Sequence, residues 1–61
     1  MTAGEMIRLI KSKGVVFEKH GKKHDTYYNP KTGGKAQISR HQTEVLKKGT
    51  AERILRDLGL K

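Results

Sequence analysis

Residues 21–39 read GKKHDTYYNPKTGGKAQIS, and how this stretch folds decides the architecture of the chain. Thr26, Tyr27 and Tyr28 are β-branched or aromatic and read as a strand, which Asn29 and Pro30 close. The NPKTGGK segment that follows is dense in turn formers, and Lys35 to Ser39 beyond it reads as another strand. Strands joined by so short a connection pair as an antiparallel hairpin. Toward the N-terminus, Val15-Val16-Phe17 opens an earlier strand that lasts until His20-Gly21. The centre of the chain is therefore expected to be a three-stranded antiparallel meander.

Helical patterns flank it. Thr2-Ala3-Gly4-Glu5 has the form of a capping box. Ala3, Met6, Ile7 and Ile10 then recur at helical spacing, and Gly14 follows the basic Lys11 and Lys13 as a left-handed stop. A helix over about residues 3 to 13 follows from this. After a polar connection from Arg40 to Lys48, the residues Ala51, Ile54, Leu55 and Leu58 form an apolar stripe, with Gly49-Thr50 expected as its cap and Gly59 as its stop. The expected fold is α+β, in the order α-β-β-β-α, with two helices on one face of a three-stranded antiparallel sheet.

Alternation along the strands sorts the side chains. His24, Thr26 and Tyr28 share one face of their strand, and Asp25, Tyr27 and Asn29 the other. The apolar pair Ala36 and Ile38 assigns Tyr27 to the helix-covered side. His24 then stands at a strand start on the open side, next to Lys22 and Lys23.

Fourteen Lys and Arg against six Asp and Glu give a net charge of +8 over 61 residues. The basic residues are spread along the chain, so the folded surface itself is basic and attracts polyanions, nucleic acid above all. A solvated surface that maintains solubility, or an acidic protein partner, is the alternative use of such charge. A chain of this length buries only about 60% of its unfolded surface and is expected to form one domain over residues 1–61. It has no cysteine, which fits a reducing cytoplasm. The N-terminal residues lack the apolar run and cleavage site of a signal peptide. No stretch approaches the roughly 20 apolar residues of a membrane span.

Several residues carry candidate chemistry. Imidazole titrates near neutral pH, and neighbouring ammonium groups disfavour its charged form, which suits His24 to proton transfer at a phosphodiester. Lys22 and Lys23 would hold the phosphate; the plainer alternative is an ordinary surface histidine among lysines. Tyr28 is a candidate platform for an unpaired base. Lys47, Lys48 and Thr50 stand at the start of the second helix, where free amides and the helix dipole attract phosphate. His20, His24 and His41 make a poor metal set, because the strand pattern keeps the first two off one helical face and His41 has no nearby carboxylate. No metal or other cofactor is expected.

The ordered set formed by the first helix and Gly14, GKKHDTYYNPKTG at residues 21–33, ISRH at residues 38–41 and KKGTAERILRDLGL at residues 47–60 resembles the HicA family, the toxins of HicA–HicB toxin–antitoxin pairs. The resemblance spans almost the whole chain. It implies a fold related to double-stranded-RNA-binding domains, a ribonuclease activity on messenger RNA, and inhibition by a HicB-type antitoxin. The family's catalytic histidine usually lies in a Gly-Ser-His motif. His24 occupies that place here, with Lys22 and Lys23 where Gly and Ser are commonest. The expectation is a cytoplasmic, metal-independent endoribonuclease in which His24 is catalytic. Lys22, Lys23, Tyr28, Lys47, Lys48 and Thr50 would bind RNA. Tyr28, a lysine or His24 itself could protonate the leaving oxygen. A non-catalytic RNA-binding module is the alternative; a DNA-binding accessory would need a recognition helix that the sequence lacks.

Overall fold

The computed structural model describes all residues 1–61. Helix α1 spans Ala3–Ser12 and starts with the expected capping box. The Thr2 hydroxyl accepts from the Glu5 amide at 3.2 Å, and the Thr2 amide donates to Glu5 Oε1 at 2.7 Å. The bond from the Thr2 amide, and secondarily the Thr2 hydroxyl, hold the Glu5 carboxyl below the usual carboxylate range. Gly14 takes a positive φ of 92° and ends the helix.

Strands β1 (Val16–His20), β2 (His24–Tyr28) and β3 (Lys35–Ser39) follow in an antiparallel sheet of order β1-β2-β3, and helix α2 covers Lys48–Asp57. The architecture is the α-β-β-β-α, α+β arrangement anticipated from hydrophobic periodicity. Tyr27 pairs with Ala36 and Asp25 with Ile38, so these side chains share a pleat. Ala3, Met6 and Ile10 of α1, with Ile54 of α2 and Leu58 just beyond it, join Tyr27, Ala36 and Ile38 in one buried cluster. β1 receives no such cover. All five of its residues are exposed, and a bulge between Phe17 and Lys19 interrupts its pairing. A bulged, charged edge resists pairing with further strands.

One expectation is corrected. Helix α2 begins earlier than its apolar stripe does: Lys47 is the N-cap, in extended conformation and without a side-chain capping bond. Gly49 and Thr50 therefore lie inside the first turn and do not cap it. Lysine has no acceptor to offer the free amides, so this helix start lacks the bond that Thr2 supplies to α1. The polar connection before α2 is also more ordered than its composition suggests. Leu46 is buried in the core, and Val45 pairs with Thr2 in an isolated bridge. Carbonyls of this segment take up the first amides of α1, from Ala3 to Glu44 at 2.8 Å and from Gly4 to Gln42 at 2.9 Å.

The turn between β2 and β3 is tied to the end of α2. Asn29 is 1% exposed and donates to the Leu58 carbonyl at 2.7 Å, and Thr32 donates to the same oxygen at 2.9 Å. A Cβ at Gly34 would overlap the Asp57 carbonyl, so only glycine permits this approach. The result fixes α2 beside β3. No helix is long and apolar enough to cross a membrane.

Candidate active site

His24 opens β2 directly after a tight turn. A Cβ on Gly21 would overlap the His24 carbonyl; instead the Gly21 amide donates to that oxygen at 2.8 Å. The His24 imidazole is exposed and makes no side-chain hydrogen bond. Its strand pairs His24 with Ser39, Thr26 with Gln37 and Tyr28 with Lys35. These side chains share the pleat opposite Tyr27 and Ile38.

Helical spacing places Thr50, Arg53 and Asp57 along one side of α2. Two adjoining clefts open between that side and the sheet. One, of about 240 Å³, is bordered by His24, Ser39, Glu44, Thr50 and Arg53. The other, of about 380 Å³, is bordered by Lys19, Thr26, Lys35, Arg53 and Asp57. Gln37, Arg53 and Ile54 border both.

Of the expected site residues, the structure brings Thr50 to the cleft that His24 borders. Lys22 and Lys23 are exposed in the turn before His24, and Lys47 and Lys48 are exposed at the start of α2; none of the four borders either cleft. Tyr28 is half-buried, with Lys35 Nζ 5.9 Å from its ring centroid. It stands about 13 Å from His24 along β2, at roughly 3.3 Å per residue.

Arg53, Gln37, Lys19 and Lys35 were not singled out by sequence. Arg53 was legible as a position three residues after Thr50 on one helix. Its nearness to His24, twenty-nine residues earlier in sequence, is a product of tertiary packing. Lys35 is paired with Glu18 at 3.1 Å, whereas Arg53 takes part in no ion pair.

A second polar cluster lies on the other pleat. Asp25 Oδ1 is 3.0 Å from His20 Nδ1 and 3.5 Å from Arg40 Nε. Arg40 also donates to the Gly21 carbonyl at 3.0 Å. These bonds tie the end of β3 to the turn that carries His24 and restrain it. Nearby, burial, reinforced by the Asp25 charge, pushes the Tyr27 hydroxyl above its ordinary range. It stays protonated at neutral pH and packs in the core. No three His, Cys, Asp or Glu side chains converge to form a metal-binding group.

A family model described as the HicA toxin of bacterial toxin–antitoxin systems matches residues 3–60. The chain belongs to the HicA toxin family. No curated protein and no solved structure matches it. Membership covers both helices and all three strands, so the residues that build the clefts lie within the matched region. It also gives the chain a toxin's role within a toxin–antitoxin pair.

Proposed function

We propose that the chain is an endoribonuclease toxin that cuts messenger RNA without a metal ion, with His24 as its general acid–base group. The observation that carries this is an exposed, unpartnered imidazole on a restrained turn, at the edge of a cleft it shares with Thr50 and Arg53. Family membership and the net charge of +8 support RNA as the polyanion.

In the proposed reaction His24 takes the proton of a ribose 2′-hydroxyl as that oxygen attacks the adjacent phosphorus. The P–O bond to the next nucleotide breaks, leaving a 2′,3′-cyclic phosphate and a 5′-oxygen that takes up a proton. Imidazolium formed in the first half of the step, or a lysine of the turn, supplies it. Lys22 and Lys23 attract the backbone beside His24, while Lys47, Lys48 and the start of α2 follow it further along. Tyr28 contacts a base or sugar at the far end of β2.

The discriminating experiment is incubation of the purified protein with mixed RNA in EDTA. Cutting is expected. RNA retained on the protein but left intact would instead support a non-catalytic RNA-binding module.

A HicB-type antitoxin is the proposed inhibitor, with an acidic surface laid over Lys22, Lys23 and His24. Such complementarity makes association fast and salt-sensitive. RNA and antitoxin should exclude one another, and His24→Ala should still bind the antitoxin. A ternary complex with uncut RNA would point to an allosteric brake.

A further inference from the structure

Arg53 occupies a position that no lysine of the chain shares. It borders both clefts, between His24 on one side and Lys19 and Lys35 on the other. Lys35, Arg40 and Lys61 are each held by a carboxylate, but Arg53 is not, although Glu44 and Asp57 border the same clefts. Nor does its guanidinium form a hydrogen bond within the protein. An exposed cation left unpaired among carboxylates is available to an anionic ligand. Its planar fork can hold two oxygens of one phosphate at once, which an ammonium cannot do with fixed geometry.

Its support is rigid. Arg53 lies in the middle of α2, next to the buried Ile54, and the end of that helix is fastened to the β2–β3 turn through Asn29 and Thr32. A guanidinium carried on such a support is kept beside the clefts, where it can stabilise charge that grows during reaction. The turn lysines are exposed and border neither cleft.

We propose that Arg53 holds the scissile phosphate of an RNA strand lying along the joined clefts, opposite the imidazole of His24. This rests on the ribonuclease function proposed above and names a residue of that site which lies outside the place of the Gly-Ser-His motif. Arg53 binds the two non-bridging oxygens and stabilises the extra negative charge they gain as the 2′-oxygen attacks. The exposed turn lysines then attract the backbone and raise affinity, while Arg53 acts chiefly on rate.

The test compares Arg53→Gln, Arg53→Lys and Arg56→Gln. Arg56 is exposed on the same helix and borders neither cleft, so its variant removes the same charge from a neighbouring site. Single-turnover cleavage and affinity for a non-cleavable 2′-deoxy-substituted oligonucleotide are both measured, on variants whose thermal midpoints match the wild type. Arg53→Gln should slow cleavage about 10²- to 10³-fold, as expected for loss of one donor to the charge that develops in the transition state. It should weaken binding only several-fold. Arg53→Lys should recover part of the rate, and Arg56→Gln should stay within a few-fold of wild type.

If Arg53→Gln cleaves as fast as Arg56→Gln, the proposal is overturned while the ribonuclease function stands. Wild-type protein that fails to cut RNA would overturn both. Failure of the ribonuclease function is thus visible before any Arg53 variant is compared.

Discussion

Asn29, just beyond the C-terminal end of β2, is 1% exposed, and both halves of its amide are bonded: the nitrogen to the Leu58 carbonyl and the oxygen to the Lys31 amide. His24, at the N-terminal end of the same strand, is exposed and its imidazole is unpartnered. Six residues of sequence thus run from a polar group that holds the fold to one free to act on a ligand. In the proposed function, a chain with so thin a core keeps the two tasks at opposite ends of one strand. On that proposal, losing the first kind of group is felt as stability, and losing the second as rate.

The largest expected effect lies at the His24 end. His24→Ala should reduce RNA cleavage by about 10²- to 10⁴-fold, the usual worth of general acid–base help, and leave the thermal midpoint near that of wild type. His20→Ala should cost much less activity, since His20 lies on the other pleat against Asp25. A folded His24→Ala variant within a few-fold of wild-type activity would erase the contrast.

Asn29→Ala reverses the pattern. It leaves buried polar groups without their partner, at about 1–3 kcal/mol. For a domain of this size each kcal/mol lowers the thermal midpoint by roughly 4–8 °C. Thermal melts followed by circular dichroism should show that loss, and activity per folded molecule should be preserved. An unchanged midpoint would mean that Thr32 alone suffices to hold the Leu58 carbonyl.

A smaller loss of stability, about 1 kcal/mol, is expected for Thr2→Ala, which removes the cap of α1. The same box gives a pH dependence. Because the Glu5 carboxyl titrates below its ordinary value in the folded chain, its contribution is fully present above the unfolded-state value. It is lost as pH falls through the lowered one. Acid melts of wild type and Glu5→Gln should therefore converge at low pH; curves that stay parallel down to pH 2 would contradict this.

Lys22→Ala is expected to do least. Its midpoint should not change. If about four phosphates are neutralised, the log–log salt slope of RNA affinity should be near −3, and this variant should flatten it by less than one unit. Salt-independent binding would mean that the basic surface serves another purpose.

The contrast between the two ends also marks what sequence could reveal. β-branched and aromatic runs, turn formers and helical stripes are local signals, so the elements and the covered position of Tyr27 were legible. The place of His24 at the exposed start of a strand was legible too. The start of α2 was misplaced because Gly49-Thr50 resembles a cap, whereas the backbone turns helical two residues earlier after an uncapped Lys47. Leu46 was hidden inside a polar segment, and its burial depends on bonds to the N-terminus. Arg53 was missed for the same reason: its neighbours in the cleft come from strands far away in sequence. Contacts set by packing leave no periodic trace.

The proposed chemistry is tested most directly by the ends of the RNA products formed in EDTA. Attack by the 2′-hydroxyl with His24 as base predicts 2′,3′-cyclic phosphate, or the monophosphate derived from it, together with 5′-hydroxyl ends. It also predicts no cutting where a single 2′-deoxynucleotide replaces the ribonucleotide 5′ to the scissile phosphate. Products bearing 5′-phosphate and 3′-hydroxyl ends, or cleavage that persists at the deoxy position, would show that water attacks instead and would contradict the account.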